Sequence, residues 1–431
     1  MTAVLEVPEG YAPHDVESLR GYLAEIDGLR QVLGGDPAAW TIEEVGDGNL
    51  NLVFKVRGSG AGVAVKQALP YVRLVGESWP LPLSRAHYEH LALSQEGRHA
   101  PGLVPAILHY DADLALIVME LLEPHVILRR GMIAGTVYPR FVEDITTFTA
   151  ETLFHTSDLA LAAADKKDLV AAFAGNSALC KITEDLIFTE PYMIADNNRW
   201  TSPQLDPYAA RLRADGDLKV AISRLKLRFL GDAQALIHGD LHTGSIMVTE
   251  ADTRVIDPEF AVMGPMGFDL GALVANLLLN YFAQDGHEES PGARDDYRAW
   301  VLETTEGVWT GFRAKFLALW RSAAAAGDGY PAALFQGPLG AARLDQERKA
   351  YLDRLYRDTL GFGAAKMIRR IVGLAHNIDL EWVEDPEVRA RCEARALTLA
   401  REMMVNPGAF PSIGDVAEAA AGLRGWEPRL G

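Results

Sequence analysis

The chain has 431 residues, 49% of them apolar, with 41 Lys and Arg against 59 Asp and Glu and a formal net charge of −18. That length allows two substantial lobes with large cores, and that charge excludes a general nucleic-acid binder, which needs a cationic surface. The two cysteines, Cys180 and Cys392, stand far apart with no disulfide or metal pattern, which fits a reducing, cytoplasmic setting.

The first residues, Met1 to Pro8, carry no basic region and no long apolar core, so no signal peptide is expected. Residues 15–35 read as helical, with Val16, Leu19, Leu23 and Ile26 near one face. From Thr41 to Val56 the pattern changes to strand, turn, strand, with Gly46-Asp47-Gly48-Asn49 as the turn. Gly62 to Gln67 is a third strand, Ser84 to Ser94 a helix, and Leu114 to Glu120 a further strand. The segment from Glu120 to Pro124 reads as a linker. Residues 1–122 are therefore expected to form a small β-rich lobe and residues 123–431 a large helical one, an α+β bilobal fold. The larger lobe shows short strands near Asp240 and Asp257 and helical stretches over 291–325, 341–358, 361–377 and 386–405. Its greasiest segment, Leu270 to Phe282, is too short to cross a bilayer and reads as a buried helix, so no membrane partner is expected. Ala323 to Ala326 reads as a helix end and loop.

Chemistry concentrates in His238-Gly239-Asp240-Leu241-His242-Thr243-Gly244-Ser245 and in Asp257-Pro258-Glu259, the second aspartate standing 17 positions after the first. An Asp on a loop, a short hairpin and then an acidic pair is the layout of a kinase active site. The first Asp can orient a hydroxyl and take its proton. Asp257 and Glu259, alternating on an extended segment, can both face one side and offer hard oxygens to magnesium. Gly replaces the Arg of the protein-kinase motif and Ser245 stands at the Asn position, which points toward a small-molecule substrate. Ser245 could then supply a weaker ligand or a water contact.

Gly46, Gly48 and Asn49 could let backbone N–H groups approach phosphates, although the same residues make ordinary hairpin turns. Lys66, 18 residues after Gly48, resembles the third-strand Lys that meets nucleotide phosphates. Glu89 is the candidate to hold it in place. His238 and His242 have a spacing that suggests zinc on a helix, but Gly239 and Gly244 argue for a loop without a third ligand. His238 reads instead as a brace. Arg369 and Arg370 could stabilise a transferring phosphoryl group or form a solvated helix face. Trp79, in a loop after the Lys66 strand, could stack on a substrate or simply pack.

Together these segments, with Gly76-Glu77-Ser78-Trp79-Pro80 and Gly264-Pro265-Met266-Gly267-Phe268-Asp269, closely resemble the 5-methylthioribose kinase family across almost the full length. The resemblance implies a protein-kinase-like fold, a homodimer, and transfer of phosphate from ATP to the anomeric hydroxyl of 5-methylthioribose in methionine salvage. It implies Asp240 as the base, Asp257 and Glu259 as Mg2+ ligands, and Lys66 on the ATP phosphates. It further implies adenine held by backbone near Glu120 and Leu122, and Trp79, Arg369 and Arg370 near the sugar and the reacting phosphate. Two alternatives stand beside it: the same fold acting on an aminoglycoside, choline or homoserine hydroxyl, and a nucleotide-binding regulatory module without catalysis. Intact Lys66, Asp240, Asp257 and Glu259 speak against the second.

Overall fold

The computed structural model describes residues 7–46, 50–72, 76–322 and 325–430. Gly48 and Asn49 of the expected phosphate turn, and Ala323 and Ala324 of the expected helix end, lie outside the described residues.

Helices α1 (Val16–Glu25) and α2 (Asp27–Leu33) precede the sheet. Strands β1 (Thr41–Glu44), β2 (Asn51–Arg57) and β3 (Val63–Ala68) follow, then a hairpin of β4 (Tyr71–Val72) and β5 (Gly76–Pro80). Helix α3 (Arg85–His99) leads to β6 (Ile107–Asp111) and β7 (Leu116–Glu120). Five of these strands form an antiparallel sheet in the order β1-β2-β3-β7-β6. Alternation along β3 sets its two faces. Val63 and Val65 enter a core with Leu19, Leu23, Leu29, Leu33, Phe54 and Val118. Lys66 therefore points to the opposite face. That is the face covered by α3, whose Leu93 shares a second core with Ile117 and Met119.

After β8 (Val126–Ile127) the chain is mainly helical: α4 (Leu128–Ile133), α5 (Phe141–His155), α6 (Ala163–Phe173), α7 (Ser177–Phe188), α8 (Asp206–Ala214) and α9 (Gly216–Gly231). Four short strands then carry the motif loops: β9 (Ala235–Ile237), β10 (Ile246–Val248), β11 (Thr253–Val255) and β12 (Val262–Gly264). β9 pairs with β12, and β10 with β11 and β8, all antiparallel. The Asp240 loop leaves β9 and the Asp257 loop leaves β11, so the two pairings fix both loops to one frame.

Helices α10 (Gly267–Ala283), α11 (Asp295–Arg321), α12 (Gly337–Val372), α13 (Ile378–Glu381), α14 (Pro386–Val405) and α15 (Ile413–Arg424) complete the chain. Every residue of α10 is buried. One difference from the sequence reading is informative: the segments expected at 341–358 and 361–377 are a single helix of 36 residues, ending at Val372. Gly361 and Gly363 suggest a break because glycine weakens helices, but here they permit contact. A Cβ on Gly361 would lie 2.9 Å from Leu225 of α9, and one on Gly271 of α10 would lie 2.6 Å from the Gly363 nitrogen. Close helix–helix approach outweighs poor propensity.

Adding one carbon at that crossing forces a backbone shift. Gly271→Ala is expected to lower the unfolding free energy by about 1–3 kcal/mol. Gly422→Ala, in α15 with nothing within 4 Å of its added carbon, should be neutral or stabilising by up to about 1 kcal/mol. Urea unfolding of the two variants beside the parent tests the contrast.

Candidate active site

The first cluster forms where β3, α3 and the loop after β11 meet. Lys66 Nζ lies 2.8 Å from the Glu89 carboxylate and also contacts Asp257. Glu89, Asp257 and Glu259 bring one oxygen each within 4.8 Å of one another. Burial alone would lower the Lys66 pKa, but Asp257, Glu89 and Glu259 outweigh it and raise it. Burial pushes Glu89 up to about 7 against the pull of Lys66, and burial raises Glu259 as well. Three carboxylates face the Lys66 ammonium and the Arg85 guanidinium, so the cluster still carries an excess of hard oxygen and negative charge. That donor set suits a divalent cation.

Asp257 and Glu259 do not alternate on an extended segment as the sequence reading expected. Asp257 takes a left-handed backbone, with φ of 70°, a region that Asp tolerates better than most residues. The turn leaves the Asp257 side chain 47% exposed and Glu259 buried. Glu259 is held by Asn51 Nδ2 at 3.1 Å and by Arg85 Nε at 3.4 Å. Arg85 also donates to Leu50 O and Asn51 Oδ1. One buried guanidinium thus ties the flank of the glycine turn to the acidic loop.

The second cluster surrounds Asp240. Its loop is shaped by Gly239, whose φ is +83° and whose added Cβ would meet Phe260 O at 2.2 Å, so only glycine fits. Asp269, in the first turn of α10, accepts from His238 N at 2.7 Å and Gly239 N at 3.0 Å. His238 braces the loop as expected. Its Nδ1 accepts from Asp240 N, which leaves Nε2–H to donate to Ile256 O at 2.9 Å. The Ser245 hydroxyl donates to Asp240 O and His242 O and accepts from His242 N. It is buried and serves as a loop brace, not as the ligand that its position suggests.

The Asp240 carboxylate meets Lys366 Nζ at 2.9 Å, His242 Nε2 at 3.2 Å and Arg370 at 3.9 Å. Burial would raise its pKa, but Lys366, His242 and Arg370 together hold it well below the ordinary carboxylate range. Burial also drives His242 down to about 3 and Lys366 down to about 8, each against the pull of Asp240. His242 is therefore neutral. Its Nδ1 accepts from Gly244 N and Ser245 N, so the proton sits on Nε2 and is donated to Asp240. Arg369 is pushed down to about 9 by burial and by Arg370. The Nε atoms of Arg369 and Arg370 are buried with no hydrogen-bond partner among the described residues. Unused donors on buried cations make this end of the site suited to an anion.

The remaining predicted residues are placed without being drawn into either cluster. Gly46 begins the turn before β2, Glu120 ends β7, and Leu122 lies buried in the linker. The Glu120 carboxylate accepts from Ala106 N at 3.2 Å. Trp79 is half-buried on β5, a strand rather than the expected loop. Sequence reading gave no role in the site to Lys366, Asp269, Arg85 or Arg129, and weighed His242 only as a zinc ligand. Arg129 Nε donates to Thr243 Oγ1 at 3.0 Å behind the loop. Lys366 had a usable signal: it stands three and four residues before the twin arginines, on the same helical face.

Removing the ammonium from the acidic cluster should expose its charge imbalance. Lys66→Met is expected to lower stability by about 3–5 kcal/mol in metal-free buffer, and the loss should shrink as pH falls through about 7, where Glu89 takes up a proton. Millimolar magnesium should restore part of it. Thermal unfolding with and without the cation, at several pH values, checks both effects.

A model of the phosphotransferase enzyme family (APH) matches residues 41–314. Methylthioribose kinase 1 of Oryza sativa subsp. japonica is 46% identical over 410 residues, 95% of this chain and 95% of its own. Methylthioribose kinase of Escherichia coli is 45% identical over 415 residues, 96% of this chain and 98% of its own. A solved choline/ethanolamine kinase family protein from Mesorhizobium loti is 14% identical, with a TM-score of 0.41 over 94% of this chain and 98% of its own. That distant likeness adds no weight. Matched at such identity over nearly its whole length, the chain belongs to the phosphotransferase enzyme family and, within it, to the methylthioribose kinases.

Proposed function

We propose that the chain transfers the γ-phosphoryl group of ATP to the anomeric hydroxyl of 5-methylthioribose, giving 5-methylthioribose 1-phosphate, a step of methionine salvage. The observation that carries this reading is the near-complete coverage by methylthioribose kinases at 45–46% identity. The two charge clusters support it, because phosphoryl transfer is mostly a matter of placing and neutralising charge.

In this reading Asp240 receives the acceptor hydroxyl. The bond from the sugar oxygen to the γ-phosphorus forms as the bond to the leaving ADP oxygen breaks, and the hydroxyl proton passes to Asp240. A carboxylate held at so low a pKa is a weak base, so its main work is orientation, with the proton arriving late. Arg369 and Arg370 face the transferring group with their unused donors. Lys66 meets the nucleotide phosphates, and Gly46, Gly48 and Asn49 are assigned as further phosphate contacts. Backbone at Glu120 and Leu122 holds adenine, and Trp79 lies over the sugar. Asp257 and Glu259 are the ligands for Mg2+, and the oxygen-rich donor set around Lys66 fits that ion. Bound there, magnesium would neutralise phosphate charge. The division into lobes at 122–123, a cytoplasmic location and a homodimer belong to the same reading. Cationic acceptors such as aminoglycosides or choline are disfavoured, because Lys366, Arg369 and Arg370 already crowd the acceptor end with positive charge.

The test is ATP consumption with magnesium and 5-methylthioribose, beside ribose, choline and kanamycin. Phosphate on the anomeric oxygen of methylthioribose alone is the expected result, and transfer only to another acceptor would overturn it. Asp240→Asn should reduce kcat by about 10²–10⁴-fold while ATP affinity changes by less than about threefold. Isothermal titration beside steady-state kinetics separates the two.

A further inference from the structure

We infer that Lys366 is a positioning residue for this reaction: from α12 it fixes the Asp240 carboxylate and supplies its dedicated counter-charge, leaving the twin arginines free for the phosphoryl group. The inference rests on the reading of Asp240 given above and deepens it.

Three observations carry it. First, Lys366 is 2% exposed and its Nζ donates to Asp240 Oδ1 at 2.9 Å. Its other neighbour is the face of Phe268, whose ring centre lies 4.4 Å away. An aromatic face and one carboxylate make a thin return for burying an ammonium, and replacing such a pair as a whole by apolar groups is often neutral or stabilising, whereas removing one partner strands the other. Stability alone therefore does not explain a lysine here.

Second, the three cations of α12 divide the work. Lys366 and Arg370 lie one helical turn apart on one face. Lys366 is within hydrogen-bond distance of Asp240, whereas Arg370 stands off at 3.9 Å. Arg369 and Arg370 each donate to Ala375 O, and each keeps a buried Nε without a partner among the described residues. The arginines have donors to spare and the lysine is committed.

Third, the lysine is held from both sides. Phe268 sits in the first turn of α10 beside Asp269, the residue that accepts from the backbone of the Asp240 loop. The same turn thus seats both the loop and the lysine. The charged and titratable groups facing this pair are His238 and His242 from the loop, Arg129 from α4, Asp269 from α10, and Arg369 and Arg370 from α12.

The test compares Lys366→Met and Lys366→Arg with the parent enzyme across pH. Lys366→Met should fold with a lower unfolding temperature, because it strands the Asp240 carboxylate, and lose at least about tenfold in kcat, with the KM for ATP within about threefold. The acid limb of its kcat profile should move to higher pH, because a carboxylate without its counter-charge protonates sooner. Lys366→Arg keeps the charge and should hold the limb near the parent position and recover part of kcat. A Lys366→Met enzyme with near-parental kcat or an unmoved acid limb overturns the inference, and should that variant fail to fold, a Lys366→Arg enzyme whose acid limb moves overturns it. A parent enzyme inactive on 5-methylthioribose would remove the underlying reading instead, so the two failures are distinguishable.

Discussion

The site depends on how closely α10 and α12 can approach. Gly271 and Gly363 bring the two backbones into contact, with no room for a side-chain carbon between them. From that crossing α10 extends back to Phe268 and Asp269, and α12 runs on to Lys366, Arg369 and Arg370. One helix anchors the Asp240 loop through two backbone N–H groups, and the other grips its carboxylate. The spacing between anchor and grip is set by packed glycines in an interior that resists deformation. A lysine reaching 126 positions along the chain can then hold one oxygen at hydrogen-bond distance.

Around that frame the charge is sorted into two ends. Near Lys66 and Arg85 three carboxylates outnumber two cations, and near Asp240 the cations outnumber the carboxylate. Neither end is balanced by itself, and the imbalances have opposite sign. The arrangement is complementary to a metal-bound polyphosphate whose cation meets one end and whose transferring group meets the other. Buried, unbalanced charge costs stability, and such costs are a common feature of functional sites.

Much of this was legible in the chain because the signals are local. Lys66 announces itself at the end of an alternating strand, Asp240 between apolar strand and turn, and Glu89 on the helix that follows. Four of the five sheet strands and the buried α10 follow from periodicity, while β6 was not read. What sequence could not show depends on distant contacts. Gly361 and Gly363 look like helix breakers until α9 and α10 are packed against them. Asp257 looks extended until its left-handed turn is seen. Ser245 looks like a ligand until its hydroxyl is found among the carbonyls of its own loop. Lys366 carries no local mark of its partner. The glycine turn itself was readable only as a turn, and Gly48 and Asn49 stay outside the described residues.

The burial of the cations has a consequence for how a nucleotide arrives. The chain as a whole carries −18, while Lys366, Arg369 and Arg370 are almost wholly withdrawn from solvent. At a distance an anion meets a repulsive field, and attraction begins only inside the cleft. Mobile ions damp interactions beyond a Debye length of about 8 Å at physiological ionic strength, so they weaken the outer repulsion more than the inner attraction. Added salt, which slows steered encounters between opposite charges, here lowers a barrier to entry.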